Sequence, residues 1–471
     1  MKTYLAIDVG VEQCRLFLGN MTETGVKLNL ISQFPNNVVD AFGHKYWDIF
    51  SLYGNIVDAL RQVSAMDVTI ESIGVCALSQ DFCCFGADGQ LISHPFSSKE
   101  QGVSTSPQKF YARIARTTLY RMVGMQEMPN KAIFQFDAMQ RMGSATLAMA
   151  DKILFMPDAL IYMLTGEMVC EASIASASGM VNMGSRGLDQ QLMLSVGLSP
   201  QHFGTFVQPG MMVGLLSEQL QQLTHLRDVP VVAVCSDQAL SASLAAPAVS
   251  RNWAWLNADY RHTIGITTDR PALTDRAEQL NLDNVCAPFD TYCVMKQTSG
   301  KRLLSLCQRE LDTMLTTQDM VKLVLQVPDF QSIFDTDDPS FVNTTSFARS
   351  LKSYCERTSQ QAPASEAETI KCLLLSVANK QAELLCNLEE VQGTKVQKLF
   401  VMGPGSVNDV LCQYIATASQ TEVTAGPIFA SAAGNVIIQA MMAGEVRDID
   451  DVRIRQSKDP NLRTFVPDVH I

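Results

Sequence analysis

The residues best suited to chemistry stand at the start of the chain. The segment KTYLAIDVGVEQCRLFLGN (2–20) puts Asp8 and Gly10 directly after an apolar run and Glu12 at the tip of the turn. A strand that ends in aspartate-any-glycine and returns as a second strand aims a carboxylate and bare backbone at nucleotide phosphates and their Mg²⁺. Glu12 has the wrong sign for that work. A carboxylate about 4 Å from a phosphate oxygen costs on the order of 4 kcal/mol at an effective dielectric near 20. Two later glycine turns, VMGPGSVN (401–408) and AGPIFASAAGN (425–435), have the composition that lets a flat ring or a phosphate come close to the backbone.

These residues need elements to hold them. With 471 residues the chain exceeds what one core supports, so two domains of roughly 200 to 250 residues are expected. A hydrophobic content of 47% with only 18% charged residues describes a core-rich globular protein. The formal net charge of -12 argues against nucleic-acid and anionic-membrane partners, which select basic patches. The thirteen cysteines form no CxxC pair or Cys/His cluster, which reads as reduced thiols in a cytoplasm. The N-terminus carries no basic segment followed by an apolar signal core. The most apolar later window, VPVVAVCSDQALSASLAAPAV (229–249), contains Asp237 and reads as strand, turn and helix, not as a membrane span.

Strand and helix patterns alternate along the chain. Val68 to Cys76 reads as a strand, and Phe82 to Phe85 with the turn at 87–90 reads as a hairpin. The stretch 146–164 reads as one helix broken at Pro157 and stopped at Gly166. A break near Pro247 sets the division into 1–247 and 248–471. The second half repeats the logic of the first, with helices over 300–315 and 366–393, the latter N-capped by Ser365, and a buried strand over 396–402.

Read together, the segments IDVG (7–10), DFCCFGADGQLISHPF (81–96), LFMPDALIYMLTGE (154–167), VPVVAV (229–234), KSYCERTSQQAPAS (352–365) and TAGPIFASAAGNVIIQAM (424–441) follow one another in an order that resembles the FGGY carbohydrate kinases. Among them, the chain looks most like the kinases of rhamnulose and other deoxy-ketoses. The resemblance implies an α/β fold of two actin-like, ribonuclease H-like ATPase domains around a central cleft, sugar held mainly by the first and ATP by the second. It implies transfer of the γ-phosphoryl of MgATP to a hydroxyl of a ketose or deoxy-ketose such as rhamnulose or fuculose, with an aspartate as base.

Residue by residue, the resemblance puts Asp81 on the substrate hydroxyls, where an ionised acceptor makes the stronger hydrogen bond. Phe82, Lys99 and Gln135 join it on the sugar side. Lys99 stands where the family has arginine, keeping the charge without the bidentate fork. Before Asp81, Cys76, Leu78 and Ser79 replace the family's aspartate, tryptophan and glycine. An ungapped match sets Asp237 at the family histidine and Gln238 at the catalytic aspartate. A slide of one residue makes Asp237 the base, and the alternative role for Asp237 is a helix N-cap.

On the nucleotide side the resemblance assigns Asp8, as ligand of Mg²⁺, with Gly10, Gly403, Gly405, Asn408, Gly426 and Asn435. Ala258, Asp259 and Tyr260 replace the family's serine-glycine-threonine, with Arg261 and His262 following. The partners implied are a small sugar and ATP, with a homodimer compatible. Two functions stay open: an active ketose kinase, or a non-catalytic relative that acts as a sugar sensor or partner protein. Glu12, Gln238 and Asp259 discriminate between them.

Overall fold

The computed structural model describes residues 1–78, 80–98, 105–310, 315–342, 344 and 346–468. Two compact units emerge, the first from 1–247, 267–294 and 431–458, the second from 248–266, 295–430 and 459–471. The chain thus returns to the first unit twice after Pro247.

The first unit is built on Thr3–Val9 (β1), Gln13–Thr22 (β2) and Gly25–Pro35 (β3), followed by the helix Ile49–Ser64 (α1) and the strand Ile70–Ala77 (β4). Next come Phe82–Phe85 (β5), Ala132–Arg141 (α2), Lys152–Phe155 (β6), Met156–Thr165 (α3) and Ala172–Ala177 (α4). Met212–Leu215 (β7), Pro230–Val232 (β8) and Gln238–Leu244 (α5) complete the leading segment. The six-stranded sheet runs β7-β8-β4-β1-β2-β3. β8, β4 and β1 are parallel neighbours, whereas β2 and β3 return antiparallel. β1 is buried on both faces, which is why TYLAIDV is a continuous apolar run and not an alternating one.

The stretch 146–164 is not one interrupted helix. It is a short helix, then β6, then α3, because β6 finds an antiparallel partner in β5, Phe82 opposite Phe155. Pro157 starts α3 instead of breaking it, since the first helical turn needs no backbone N–H from that position. The expected hairpin is therefore only a turn with one bridge, Phe85 to Leu91, and β5 pairs with a strand far along the chain.

The second unit holds Trp253–Ala258 (β9), His262–Thr268 (β10), Gly300–Glu310 (α6), Glu366–Gln392 (α7), Lys398–Met402 (β11), Asp409–Ser419 (α8), Glu422–Ala425 (β12) and Arg463–Phe465 (β13). Five of the seven strands of its sheet run β10-β9-β11-β12-β13, with β9, β11 and β12 parallel and the β10-β9 and β12-β13 pairings antiparallel. The order β2-β1-β4-β8 in the first unit has the same directions as β10-β9-β11-β12 in the second, so one topology is used twice. Ser365 caps α7 by accepting from the Glu368 N–H, and Gly393 ends it in the left-handed conformation.

The helix Ala430–Met442 belongs, from Ser431 on, to the first unit. It lies so close that a Cβ on Gly434 would overlap the Ser241 carbonyl, and one on Gly74 would meet Asn435 and Gln439. Of the cysteines, Cys386 is exposed and the others are buried free thiols. Among the described residues no helix is long and apolar enough to cross a membrane.

Candidate active site

Three parallel neighbours in the first sheet each deliver an acid at or just past the carboxyl end: Asp8 on β1, Asp81 after β4 and Asp237 after β8. All three are buried. Crevices outside the carboxyl ends of parallel strands are where open α/β sheets hold ligands.

Asp8 is surrounded by donors. Gln238 Nε2 donates to Oδ1 at 2.5 Å, Ser431 Oγ to Oδ2 at 2.9 Å, and Cys76 Sγ lies 3.4 Å from Oδ1. The next turn closes through Gly10 N–H to the Gln13 carbonyl at 2.9 Å. Glu12, half-buried, accepts through its own carbonyl from the Asn36 N–H. An ionised carboxylate offers about four lone-pair directions, so three donors leave Asp8 room for one more partner. Mg²⁺ takes one or two protein carboxylates and completes its shell with phosphate oxygens and water. Asp8 fits that donor set.

Asp81 receives Trp47 Nε1–H at 2.6 Å and the Ser98 N–H at 3.1 Å. Burial outweighs these donors and raises its pKa to about 6. Gln135, on α2, donates to the backbone oxygens of Gln80 and Asn130, both at 2.8 Å. Phe82 packs on Phe136 with ring centroids 4.2 Å apart, inside the apolar cluster of this unit. Lys99 lies outside the described residues.

Asp237 is the N-cap of α5, its Oδ1 accepting from the Leu240 N–H at 2.9 Å. Burial raises its pKa, with the charge of Lys131 pulling the other way. Lys131 is itself fully buried, its Nζ 2.6 Å from Asp283 Oδ2 and 2.8 Å from the Ala177 carbonyl. Sequence reasoning did not find Lys131, because its partner is 152 positions away. Trp47 also escaped notice, although a lone tryptophan before an aspartate was a usable signal.

In the second unit, a cavity of about 300 Å³ opens between α6, α7 and the turn after β11. Its walls include His262, Leu304, Leu374, Gly405, Asn408 and Leu411. Burial pushes the His262 pKa down to about 4, so the ring is neutral near pH 7. Gly403 and Gly405 are needed as glycines, since a Cβ on either would strike Asn257 or Ala258 at the end of β9. Asn408 caps α8 through the Leu411 N–H at 3.0 Å. Gly426 donates its N–H to the Val401 carbonyl at 2.9 Å. Tyr260 N–H turns back onto the Asp259 carboxylate at 2.7 Å. Asn435, in the first unit, is fully buried and spends its amide on Cys76 Sγ and Gln439.

The model of the N-terminal domain of the FGGY family of carbohydrate kinases matches residues 3–243, and that of the C-terminal domain matches 262–443. A rhamnulokinase of Bacteroides thetaiotaomicron is 36% identical over 467 residues, spanning 99% of this chain and 96% of the relative. A rhamnulokinase of Pectobacterium atrosepticum is 29% identical over 99% of this chain and 93% of its own length. Among solved structures, a xylulose kinase from Lactobacillus acidophilus superposes at a TM-score of 0.81 with 15% identity, covering 99% of this chain and 94% of the other. A glycerol kinase from Plasmodium falciparum with ADP gives 0.75 at 13% identity, over 99% and 94%. The two-domain α/β fold is thus that of the actin-like sugar kinases, and the chain belongs to the FGGY family of carbohydrate kinases, ATP-dependent enzymes that phosphorylate a sugar hydroxyl.

Proposed function

We propose that this kinase phosphorylates a ketose or deoxy-ketose of the rhamnulose type. The observation that carries the site assignment is the row of acids at the end of β1 and just past β4 and β8, each buried and each held by different donors. The substrate class rests on the full-length relation to a rhamnulokinase at 36% identity.

Asp81 takes sugar hydroxyls as an acceptor, with Trp47 fixing its orientation and Gln135, Phe82 and Lys99 completing the sugar side. Asp237 acts as general base. It accepts the proton of the attacking hydroxyl as that oxygen bonds to the γ-phosphorus and the bond to the departing ADP breaks. A pKa raised by burial brings an aspartate nearer to working pH and makes it a better proton acceptor. Serving as N-cap does not conflict with this, because the cap uses one carboxylate oxygen and orients the other.

Asp8 holds Mg²⁺, which supplies charge neutralisation at the phosphates when bound, and Gly10 keeps the adjoining backbone bare. In the second unit, the cavity beside His262 takes the nucleoside, with Gly405 and Asn408 in its wall and Gly403 and Gly426 in the turns after β11 and β12. The buried reduced thiols support a cytoplasmic location.

The test is phosphate transfer from MgATP to a panel of L-rhamnulose, L-fuculose, D-xylulose and D-ribulose, followed by ADP release and by ³¹P NMR of the product. Asp237→Asn is expected to lower kcat by about 10² to 10⁴ while sugar binding persists. Stability should change little, since asparagine caps helices as well as aspartate. Wild-type turnover in Asp237→Asn, or no transfer to any of the four sugars, overturns the proposal.

A further inference from the structure

Below the Asp237 turn lies a carboxylate that the reaction scheme has not used. Glu171, at the junction of the strand Val169–Glu171 and α4, is completely buried, and its two oxygens collect four donors. Oε1 accepts from the Ser173 N–H at 2.9 Å, while Oε2 accepts from Ser173 Oγ at 2.6 Å and the Ile174 N–H at 3.1 Å. The fourth donor comes from another part of the fold: the Ser236 N–H, 65 positions away, reaches Oε2 at 3.2 Å. Ser173 Oγ then accepts the next backbone donor, the Asp237 N–H, at 3.3 Å. On its other side the same turn is tied to β4, where the Ala77 N–H donates to the Ser236 carbonyl at 2.9 Å.

Capping α4 does not require this residue. A serine, threonine or asparagine would satisfy the free amides without taking a full charge out of water. Burial raises the Glu171 pKa to about 7, and that of neighbouring Asp158, whose carboxylate accepts the Glu171 N–H, well above the ordinary range. A buried carboxylate is costly, so its four donors, two of them serving the Ser236–Asp237 turn directly or through Ser173, call for a reason beyond the helix end.

We infer that Glu171 and Ser173 are positioning residues, which clamp the backbone of Ser236 and Asp237 and so set where the Asp237 carboxylate points. The inference rests on Asp237 being the base. Displacing a reacting group by about 1 Å costs on the order of 100-fold, so a clamp on two consecutive amides matters to turnover without touching the substrate.

Two readouts test it on the full chain. In hydrogen-exchange mass spectrometry, the peptide covering 235–240 should lose protection in Glu171→Gln, whose amide offers a donor where the clamp needs an acceptor, and in Ser173→Ala. Unchanged protection in both overturns the clamp, whatever the enzyme's activity. In steady-state kinetics per folded protein, Glu171→Gln should lower kcat by about 10- to 100-fold with KM for sugar and MgATP within about threefold. In an Asp237→Asn background the same substitution should cost less than about twofold, because a residue acting through Asp237 has nothing left to aim. An equal loss in both backgrounds overturns the inference alone. Full turnover in Asp237→Asn overturns the base assignment and the inference with it. Should Glu171→Gln fail to fold, Ser173→Ala, which leaves the Glu171 cap on Ile174 in place, carries the same cycle.

Discussion

Gln238 donates its side-chain amide to the carboxylate of Asp8 at 2.5 Å, tying the first residue of α5 to the end of β1. The two polar residues that open α5 therefore divide their tasks. Asp237 caps the helix with its carboxylate, and Gln238 reaches across to the neighbouring acid. Gln238 thus has a partner of its own at the end of β1, and the base is proposed at Asp237, one place before it.

Gln238→Ala should remove a hydrogen bond to a buried acid, lowering stability by about 2 kcal/mol in urea unfolding. Since Asp8 is assigned to the metal and phosphates, KM for MgATP should rise while KM for the sugar stays the same. An increase confined to the sugar would refute the assignment of Asp8.

Asp81 makes opposite predictions for stability and for function. Its pKa is raised from 3.8 to about 6 in the folded chain, so folding favours the protonated form. Its contribution to stability is fully present below pH 3.8 and is lost as pH rises through about 6. Sugar binding needs the ionised acceptor, so kcat/KM for the sugar should fall as pH drops below about 6. In Asp81→Asn, this pH step in kcat/KM should vanish along with most of the sugar affinity. The difference in urea midpoint between wild type and variant should shift in the variant's favour from pH 4 to pH 7. A variant that retains the step at pH 6 would assign it to another group.

Leu304 lines the cavity of the second unit. Replacing it with tryptophan fills space that the nucleoside is proposed to occupy. MgATP KM should rise at least about tenfold, a loss of roughly 1.4 kcal/mol in binding, with sugar KM unaltered. Calorimetric titration with ADP checks this directly, and unchanged ADP affinity would remove the cavity from the nucleotide site.

Gly434→Ala should destabilise the first unit by about 2 to 3 kcal/mol, because the new methyl group overlaps the Ser241 carbonyl and backbone has no rotamer with which to yield. Differential scanning calorimetry measures the loss, and a Tm within a degree of wild type would contradict the packing described for the helix Ala430–Met442.

Much of this protein was legible in order along the chain. The strand before Asp8, the serine cap and glycine stop of α7, and the glycine turns after β11 and β12 depend on local rules: apolar runs, capping hydroxyls, and conformations that only glycine accepts. The stretch 146–164 has an apolar spacing that suits a helix, whereas β5, some 70 positions earlier, claims its middle as a strand. Segment order likewise carried the family, since six motifs in sequence are specific where each alone is not.

The site was less legible, for a physical reason. Sequence determined which residue types were available at the carboxyl ends of the strands, including three aspartates and a glutamine whose neighbour could serve as base. Only the tertiary structure decided their partners: Trp47 on Asp81, Gln238 and Ser431 on Asp8, Lys131 with Asp283, and Glu171 under the turn at Ser236. Charge strength and aim depend on burial and on donors brought together from distant positions, and a linear pattern contains neither. Topology supplies both, because parallel strands set acids from distant parts of the chain at one end of a single sheet.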